Sequence, residues 1–289
     1  MTPEQYCQDK AAPYGSDLYF ALYFADPDKR PGLLALYALY AELTQIVREV
    51  SDKGVARMKL QWWREELGQA LDGRAQHPVT QALAAHVYPA LAEAPEYIEQ
   101  MLEGVGKDLE FGLYPSFKEL STYCHQTGGA VTHLAVRLCG HSDPGAPRFA
   151  HDVGMGLQLG ALLSRLRPDL DAGRLYIPED ELHAAGLERG KLLSAEASDK
   201  IRPLLAQQAQ RAEDFLASAL ERLAVADYPA QRSQLILIAL QRAQMKEIEA
   251  DNYPLLERSI HLTPIRKLWI AWRTARKAKR GKGDTNDRR

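Results

Sequence analysis

The side chains best suited to chemistry in this sequence are arginines that lie close to carboxylates. Arg48 is followed by Glu49, and Arg165 lies four residues before Asp169 and six before Asp171. Arginine carries a planar fork of donors that binds phosphate or carboxylate oxygens in pairs without a metal ion. One hypothesis is therefore an anion site built by these arginines. The other is that each arginine pairs with a neighbouring carboxylate or points to water, as most charged helix residues do.

Glu42 and Glu49 are seven residues apart and share one face of a predicted helix. One interpretation is a site for a single metal ion, since carboxylate oxygens are the ligands that Mg²⁺ prefers. The alternative is a solvated pair in contact with Arg48 or another neighbour. The eight histidines show no H-E-x-x-H or zinc-knuckle spacing, so we expect no transition-metal site.

The cysteines and the lengths of the apolar segments indicate the cellular compartment in which the protein resides. The three cysteines, Cys7, Cys124 and Cys139, cannot all pair with one another and form no C-x-x-C, which predicts free thiols in a reducing environment. The apolar stretches are far shorter than the roughly 20 residues that span a bilayer. The N-terminus lacks the apolar run of a signal peptide. We therefore expect a cytoplasmic protein, with peripheral contact at the inner face of a membrane as an added hypothesis.

Charge is distributed unevenly along the chain. The formal net charge is −2, but the segment from Arg266 to the end carries ten Lys or Arg against two Asp, which leaves −10 for the rest. An acidic body with a basic end is unlike a nucleic-acid-binding domain, whose basic surface belongs to the fold. Trp269 and Trp272 lie among these basic residues, a pattern typical of helices at an anionic membrane surface. The alternative is a last helix whose tryptophans pack inward.

Helical periodicity dominates the sequence, and strand signals are nearly absent. Asp28 and Pro31 predict the start of a helix that runs to Val50. Further helices are predicted through Trp62 and Trp63, over 78–92, 95–112, 117–139, 147–166, 194–225 and 230–252, and through Trp269. Pro168 is expected to end one of them, and Arg174–Pro178 is the only extended pattern. The prediction is an all-α fold with one domain over 1–276 and a basic, disordered tail over 277–289.

A series of short motifs, read in order, resembles the squalene/phytoene synthase family over about residues 4 to 272. The series begins with Gly15-Ser16-Asp17-Leu18-Tyr19-Phe20-Ala21 and Leu36-Tyr37-Ala38, and continues with Lys59 to Leu67, His77-Pro78-Val79 and Asp108-Leu109. It closes with Tyr123-Cys124, Leu157-Gln158-Leu159 and Gly173 to Pro178. No single motif is decisive, but their common order and spacing make coincidence implausible. The resemblance implies a single multi-helix bundle of the isoprenoid synthase type around a central apolar cavity.

In that family two facing aspartate-rich helices bind Mg²⁺ together with the substrate diphosphates. The metal neutralises the charge that develops as diphosphate leaves. The matching positions of this sequence are Thr44, Gln45 and Arg48 in the first motif and Ala161, Arg165, Pro168 and Asp169 in the second. Only Asp169 keeps a carboxylate, and Ala41 stands where the family has an arginine. The resemblance thus implies that both motifs are lost and that no cofactor is bound, with Mg²⁺ expected only if the chain is an enzyme.

The same resemblance suggests which residues surround a ligand. The candidates for the cavity and its anion-binding mouth are Ser16, Tyr19, Tyr37, Arg48, Tyr123, Gln158, Arg165, Arg174 and Tyr176. Arg48 and Arg165 would face each other across the former diphosphate mouth. The tyrosines would line an apolar pocket, although ordinary core packing explains them equally well. Gly128-Gly129 matches a small-residue pair that admits the close approach of a neighbouring helix or a ligand.

Two classes of function follow. The first is a non-catalytic prenyl- or lipid-binding or assembly-factor-type protein, resembling a branch of the family that includes a respiratory complex I assembly factor. The second is an active prenyl transferase or prenyl-diphosphate phosphatase that uses displaced residues. We favour the first, because metal chemistry is the part whose residues are missing. The expected partners are a prenyl-type or other anionic lipid, a membrane surface through the C-terminal basic segment and a protein in an assembly role, but no nucleic acid.

Overall fold

The structure, a computed structural model, describes residues 1–50, 52–88 and 96–281. Within those ranges every regular element is helical and no strand is present, so the predicted all-α fold is confirmed. In chain order the helices are α1 (Pro3–Ala11), α2 (Asp17–Tyr23), α3 (Arg30–Glu49), α4 (Lys53–Leu71), α5 (Pro78–His86), α6 (Glu96–Phe111), α7 (Phe117–Cys124), α8 (Ala130–Cys139), α9 (Ala146–Ser164), α10 (Leu166–Asp171), α11 (Glu179–Ala184), α12 (Ala195–Arg222), α13 (Arg232–Ala250) and α14 (Pro264–Lys279).

Helix α3 shows how the sequence sets these elements. It begins at Arg30 with Pro31 in its first turn, where a proline costs no helical hydrogen bond. Its residues are apolar nearly all round, and leucines on several sides are buried, including Leu33, Leu36 and Leu39. Such a helix lies inside an assembly, and α3 contacts α1, α5, α6 and α8.

Two predicted helices are divided in the structure. The one over 117–139 is interrupted by a π-helical turn at His125–Gly129, which separates α7 from α8. The one over 147–166 ends at Ser164, ahead of Pro168. As predicted, that helix does not continue through Pro168, which lies in the first turn of the next helix, α10. There its missing N–H removes no bond, because the first N–H groups of a helix have no partner inside it.

Other boundaries also differ from the sequence analysis. Helix α14 continues through Lys279, so the predicted domain boundary at 276 falls inside a helix. The rest of the predicted disordered tail, 282–289, lies outside the described residues, as do 89–95 of the helix predicted over 78–92. Arg174–Pro178 is non-helical, as predicted. All three cysteines are free, and no helix in the described part of the chain is long and apolar enough to cross a membrane.

Helix α9 is central to the bundle, because it contacts α7, the π turn, α8, α12 and α13. A Cβ added to Gly154 would lie 2.6 Å from the Cα of Gly129 and 2.8 Å from the carbonyl oxygen of Gly128. A Cβ added to Gly156 would lie 2.5 Å from Cδ2 of Leu216 in α12. The close approach predicted at Gly128-Gly129 is therefore that of a neighbouring helix.

Replacing Gly154 with alanine should lower the free energy of unfolding by roughly 1–3 kcal/mol, because backbone atoms of the π turn occupy the place of the new methyl group. Urea unfolding followed by circular dichroism measures this change. The matched control is Gly68→Ala in α4, an exposed helical glycine with no heavy atom within 4 Å of an added Cβ. There alanine should stabilise the protein by about 0.5–1 kcal/mol. Equal stabilisation at both positions would contradict the backbone contact.

Candidate functional site

A buried polar cluster lies where α6 meets the segment that follows α10. The carboxylate of Asp108 in α6 is buried and accepts hydrogen bonds from the hydroxyls of Tyr176 (2.7 Å) and Tyr114 (3.1 Å). The ring of Tyr123 lies 5.6 Å from that of Tyr176 and 5.4 Å from that of Tyr114, centroid to centroid. The three rings form one aromatic wall, and two of their hydroxyls serve the same carboxylate.

Arg174 ties this cluster to the end of α3. Its Nη2 donates to the carbonyl oxygen of Val47 at 2.6 Å. Its Nη1 donates to the carbonyl oxygen of Asp108 at 3.2 Å and lies 3.9 Å from Oδ1 of the same residue. The last carbonyls of a helix have no partner inside it, and a cation there also opposes the negative end of the helix dipole. Arg174 therefore fixes the end of α3 against α6.

A second buried carboxylate, that of Asp169 in α10, brings Arg165 and Arg48 together. Nη2 of Arg165 donates to Oδ1 of Asp169 at 3.3 Å. Arg48 is exposed on the last turn of α3, close enough for its charge to act on Asp169. Nε of Arg165 is buried and has no hydrogen-bond partner. Both arginines thus act on one carboxyl group, although Arg165 already forms an ion pair with it.

Burial raises the pKa of both carboxyl groups. For Asp169 the loss of water outweighs the opposing charges of the three nearby arginines. For Asp108 it outweighs the hydrogen bonds from the two tyrosines and the charge of Arg174. A carboxyl group with a raised pKa keeps its proton to a higher pH than an ordinary aspartate does. Even with both carboxyl groups ionised, the three arginines outnumber them, so the net charge of the cluster suits an anion.

The other motif positions make their contacts elsewhere. Oγ1 of Thr44 donates to carbonyl oxygens of its own helix, those of Tyr40 (2.9 Å) and Ala41 (3.3 Å). Gln45 accepts a hydrogen bond from Lys10 of α1, and Ala161 is exposed on α9. Of the predicted motif residues, Arg165 pairs with Asp169, and the charge of Arg48 also acts on that carboxyl group.

Glu42 and Glu49 lie along a different surface, an open cleft of about 430 Å³ between α1, α3 and α4. Glu42 accepts hydrogen bonds from the hydroxyl of Tyr6 (2.6 Å) and pairs with Nζ of Lys10 (3.0 Å). Glu42 is thus one member of an ion pair, but its partner is a lysine of α1 instead of Arg48 or another residue of α3. No group of three or more acidic, histidine or cysteine side chains in the described ranges is arranged to hold a metal ion, so the single-metal alternative gains no support.

Tyr37 and Gln158 lie in the interior of the bundle and make hydrogen bonds across it. Nε2 of Gln234 in α13 donates to the hydroxyl of Tyr37 at 3.2 Å. Oε1 of Gln158 accepts from the hydroxyl of Tyr40 at 2.6 Å, which links α9 to α3. A cavity beside these helices measures about 20 Å³ and is lined mainly by leucines of α9 and α10, which leaves room for about one water molecule. The interior tyrosines thus act as packed core residues with satisfied hydroxyls.

Ser16 and Tyr19 make their contacts among the N-terminal helices. Oγ of Ser16 accepts the backbone N–H of Tyr19 at 3.1 Å and so caps α2. The ring of Tyr19 packs edge-on against Tyr14 and Phe20. These contacts give both residues a structural role.

The sequence model of the squalene/phytoene synthase family matches residues 11–266. The chain belongs to this family. Phytoene synthase 3, chloroplastic, of Zea mays is 27% identical over 273 residues, covering 91% of this chain and 63% of that protein. Phytoene synthase 2, chloroplastic, of Solanum lycopersicum is 26% identical over 268 residues, covering 91% of this chain and 86% of that protein. The chain therefore spans less than two thirds of the maize relative.

Solved structures support the same fold. A dehydrosqualene synthase in complex with ligand superimposes with a TM-score of 0.82 over 96% of this chain and 97% of that chain, at 19% identity. The squalene synthase HpnC from Alicyclobacillus acidocaldarius gives a TM-score of 0.74 over 87% of this chain and 94% of that chain, at 20% identity. The resemblance predicted from the motifs is confirmed, and the bundle has the isoprenoid synthase fold.

The family motifs did not identify every residue of the polar cluster. Asp108, Tyr40 and Tyr114 were not among the predicted site residues, although Asp108 was part of a matching motif. A signal for Asp108 exists, because it shares the apolar face of α6 with Met101 and Val105, which are both buried. A carboxylate at such a position needs hydrogen-bond partners inside the fold.

Replacing Asp108 with asparagine should change how stability depends on pH. A raised pKa in the folded state means that the folded protein holds the proton more tightly than the unfolded chain does. The contribution of Asp108 to the stability of the fold is therefore present at low pH, and it is lost as the pH rises through the raised pKa of the folded state. Asparagine does not ionise, so the stability of Asp108→Asn relative to the parent should increase between about pH 4 and pH 7.

Thermal unfolding over that pH range measures the difference between Asp108→Asn and the parent. Asp72→Asn, a change at an exposed acid after α4, is the control and should show little pH-dependent difference. A constant offset between Asp108→Asn and the parent at every pH would contradict a raised pKa.

Proposed function

We propose that this protein binds the anionic head group of a prenyl-type or other anionic lipid, without a metal ion and without catalysing prenyl transfer. The observation that carries the proposal is the ion pair of Arg165 with Asp169, a carboxyl group that the charge of Arg48 also reaches. These residues stand at the helix ends that match the two aspartate-rich motifs of the family. Two guanidinium groups there supply the positive charge and the paired donors that a phosphate group needs.

The residues at these helix ends do not fit a magnesium site. Mg²⁺ takes carboxylate and phosphate oxygens in near-octahedral geometry, whereas the carboxylate of Asp169 is already paired with Arg165. The hydroxyl of Thr44 donates to its own helix. A guanidinium group a few ångströms from a second positive charge is repelled by roughly 1–4 kcal/mol. This donor set supports the loss of both magnesium-diphosphate motifs, so we derive no step through the metal.

The arginines keep donors for a ligand. Arg48 is exposed, and Nε of Arg165 has no hydrogen-bond partner although it is buried. A buried donor without a partner costs free energy, and a phosphate oxygen placed beside it would remove that cost.

The proposal concerns the head group rather than an enclosed prenyl chain. The cavity beside Asp169 and Arg174 holds about 20 Å³, far less than a chain of isoprene units needs. Separating α3 from α9 to admit an apolar chain would break the hydrogen bond between Tyr40 and Gln158. A role as an assembly factor is compatible with this proposal, with the lipid site acting beside a protein partner.

The second candidate function is that of a prenyl transferase or a prenyl-diphosphate phosphatase. The similarity to phytoene synthases over 91% of the chain favours it. A phosphatase is the simpler of the two, because water replaces the second prenyl substrate. Departure of the diphosphate still requires positive charge at the leaving oxygens, and Arg48 and Arg165 would be its source.

Purified protein supplied with farnesyl or geranylgeranyl diphosphate and Mg²⁺ should form no squalene- or phytoene-type product, because the motif positions lack metal ligands. Release of phosphate or diphosphate should remain at background. Mass spectrometry of the extracted lipids and a phosphate-release assay measure the two quantities. Magnesium-dependent turnover at about 1 per second or faster would establish the second candidate instead.

Arg48→Gln and Arg165→Gln should each weaken binding of farnesyl monophosphate by more than about tenfold, because removing one partner of a desolvated charge pair typically costs about 2–5 kcal/mol. Isothermal titration calorimetry measures the affinity. Chelation of divalent metals should leave the affinity of the parent protein unchanged, since the arginines bind the phosphate directly.

The matched control for these variants is Arg64→Gln, which removes an exposed arginine of α4 that pairs with Glu99. Its affinity should equal that of the parent. All three variants should keep the parent's helicity, but Arg165→Gln should lower the melting temperature, because it leaves the buried Asp169 without its ion-pair partner. Unchanged binding by both Arg48→Gln and Arg165→Gln would refute the anion site. A crystal structure in which their guanidinium groups lie more than about 12 Å apart would also refute it, because at that separation salt at about 0.1 M largely screens the two charges from each other.

A further inference from the structure

Helix α14 carries an apolar stripe that no other part of the described chain covers. The stripe residues follow the i, i+3, i+4, i+7 spacing, so they share one side of the helix. They are Ile265 (83% exposed), Leu268 (45%), Trp269 (53%) and Trp272 (47%). The interpretation that both tryptophans pack inward is therefore wrong. Large apolar side chains concentrated on one exposed face mark an interaction surface.

The opposite side of α14 fixes the direction in which the stripe points. Ala271, Ala275 and Ala278 are buried, and the helix packs against α13 and α2. At its first turn, Nη1 of Arg266 pairs with Glu247 at 2.6 Å and Nζ of Lys267 pairs with Asp17 at 2.9 Å. The helix is thus held on the bundle by its small residues and by two ion pairs, which leave the large side chains outside.

The charges of α14 accompany the stripe. The helix contains six Lys or Arg and no Asp or Glu. The guanidinium carbon of Arg273 lies 5.3 Å from the ring centroid of Trp269, and that of Arg276 lies 5.5 Å from that of Trp272. Each exposed tryptophan therefore carries a cation on its face. This arrangement places apolar rings and positive charge at the same surface.

We infer that α14 docks the protein onto an anionic lipid bilayer, with the stripe facing the membrane. Amphipathic helices of this kind lie in the plane of the interface, with Trp and Leu at the level of the acyl boundary and Lys or Arg among the head groups. The inference is independent of the proposed anion site, because it involves no residue of that cluster. Most of the stripe also lies beyond residue 266, where the match to the family ends.

Charge complementarity favours a lipid surface over a second copy of this chain. Two copies that met through this face would bring two wholly basic helices together, and like charges at short range repel. Anionic head groups neutralise the same charges, and each basic residue near such a surface strengthens partitioning about fivefold.

The test is co-sedimentation of the full chain with vesicles, read out also by tryptophan fluorescence. One set of vesicles is phosphatidylcholine alone, and the other contains about one third phosphatidylserine. The variants are Trp269→Ser with Trp272→Ser, which removes the rings, and Arg273→Gln with Arg276→Gln, which removes two cations. The matched controls are Trp62→Ser, at a tryptophan of α4 that is 45% exposed, and Arg64→Gln, at an exposed arginine of the same helix that pairs with Glu99.

The parent should bind the anionic vesicles at least about tenfold more strongly than the neutral ones. The tryptophan pair should lose more than about tenfold in partitioning, and the arginine pair should lose binding at anionic vesicles only. Both controls should bind as the parent does. If the tryptophan variant fails to fold, the arginine pair, whose side chains are exposed, still gives the answer.

Three results would overturn the inference. The first is equal binding of the parent to both vesicle types, and the second is parental binding by both double variants. The third is a dimer of the parent, measured by light scattering, that the tryptophan substitutions dissociate. That outcome would assign the stripe to a second copy of the chain.

Discussion

The backbone contact between α9 and the π turn is the constraint on which the rest of the structure depends. Gly154 brings the two backbones so close that no side chain fits between them. One turn further along α9, Gln158 lies against Gly128 and accepts its hydrogen bond from Tyr40 of α3. The same helix ends beside Arg165. The glycines therefore fix α9 against the π turn, and the hydrogen bond from Tyr40 to Gln158 links α9 to α3.

Such close packing leaves polar groups in the interior, and the structure satisfies them in a connected network. Asp108 accepts hydrogen bonds from two tyrosine hydroxyls and lies beside Arg174. Arg174 in turn donates a hydrogen bond to a carbonyl oxygen in the last turn of α3. In a low-dielectric interior these bonds are strong, and an unpaired member is costly. The network thus holds one end of the bundle rigid, whereas Arg48 at its edge remains exposed.

Much of this architecture can be predicted from sequence, since helical periodicity, the start of α3 and the ordered motifs are local signals. The direction in which individual side chains point around their helices was predicted less well. Thr44 and Gln45 are neighbours, but consecutive residues point about 100° apart around a helix, and Gln45 contacts α1 instead of the mouth. The periodicity of α14 is the same whether Trp269 faces inward or outward. The π turn could not be predicted from the sequence either, because such a turn adds one residue to a helical turn without changing the amino-acid composition.

The partners of Arg174 have a further consequence for how the molecule is assembled. They stand 127 and 66 residues earlier in the chain, at Val47 and Asp108. Contacts of that separation close long loops, and the entropy of closure is lost before the contacts form. A chain emerging from the ribosome contains α3 and α6 well before Arg174 has been synthesised. Until then the end of α3 lacks this cap and Asp108 lacks its cation, so this end of the bundle is completed only after Arg174 has joined the chain.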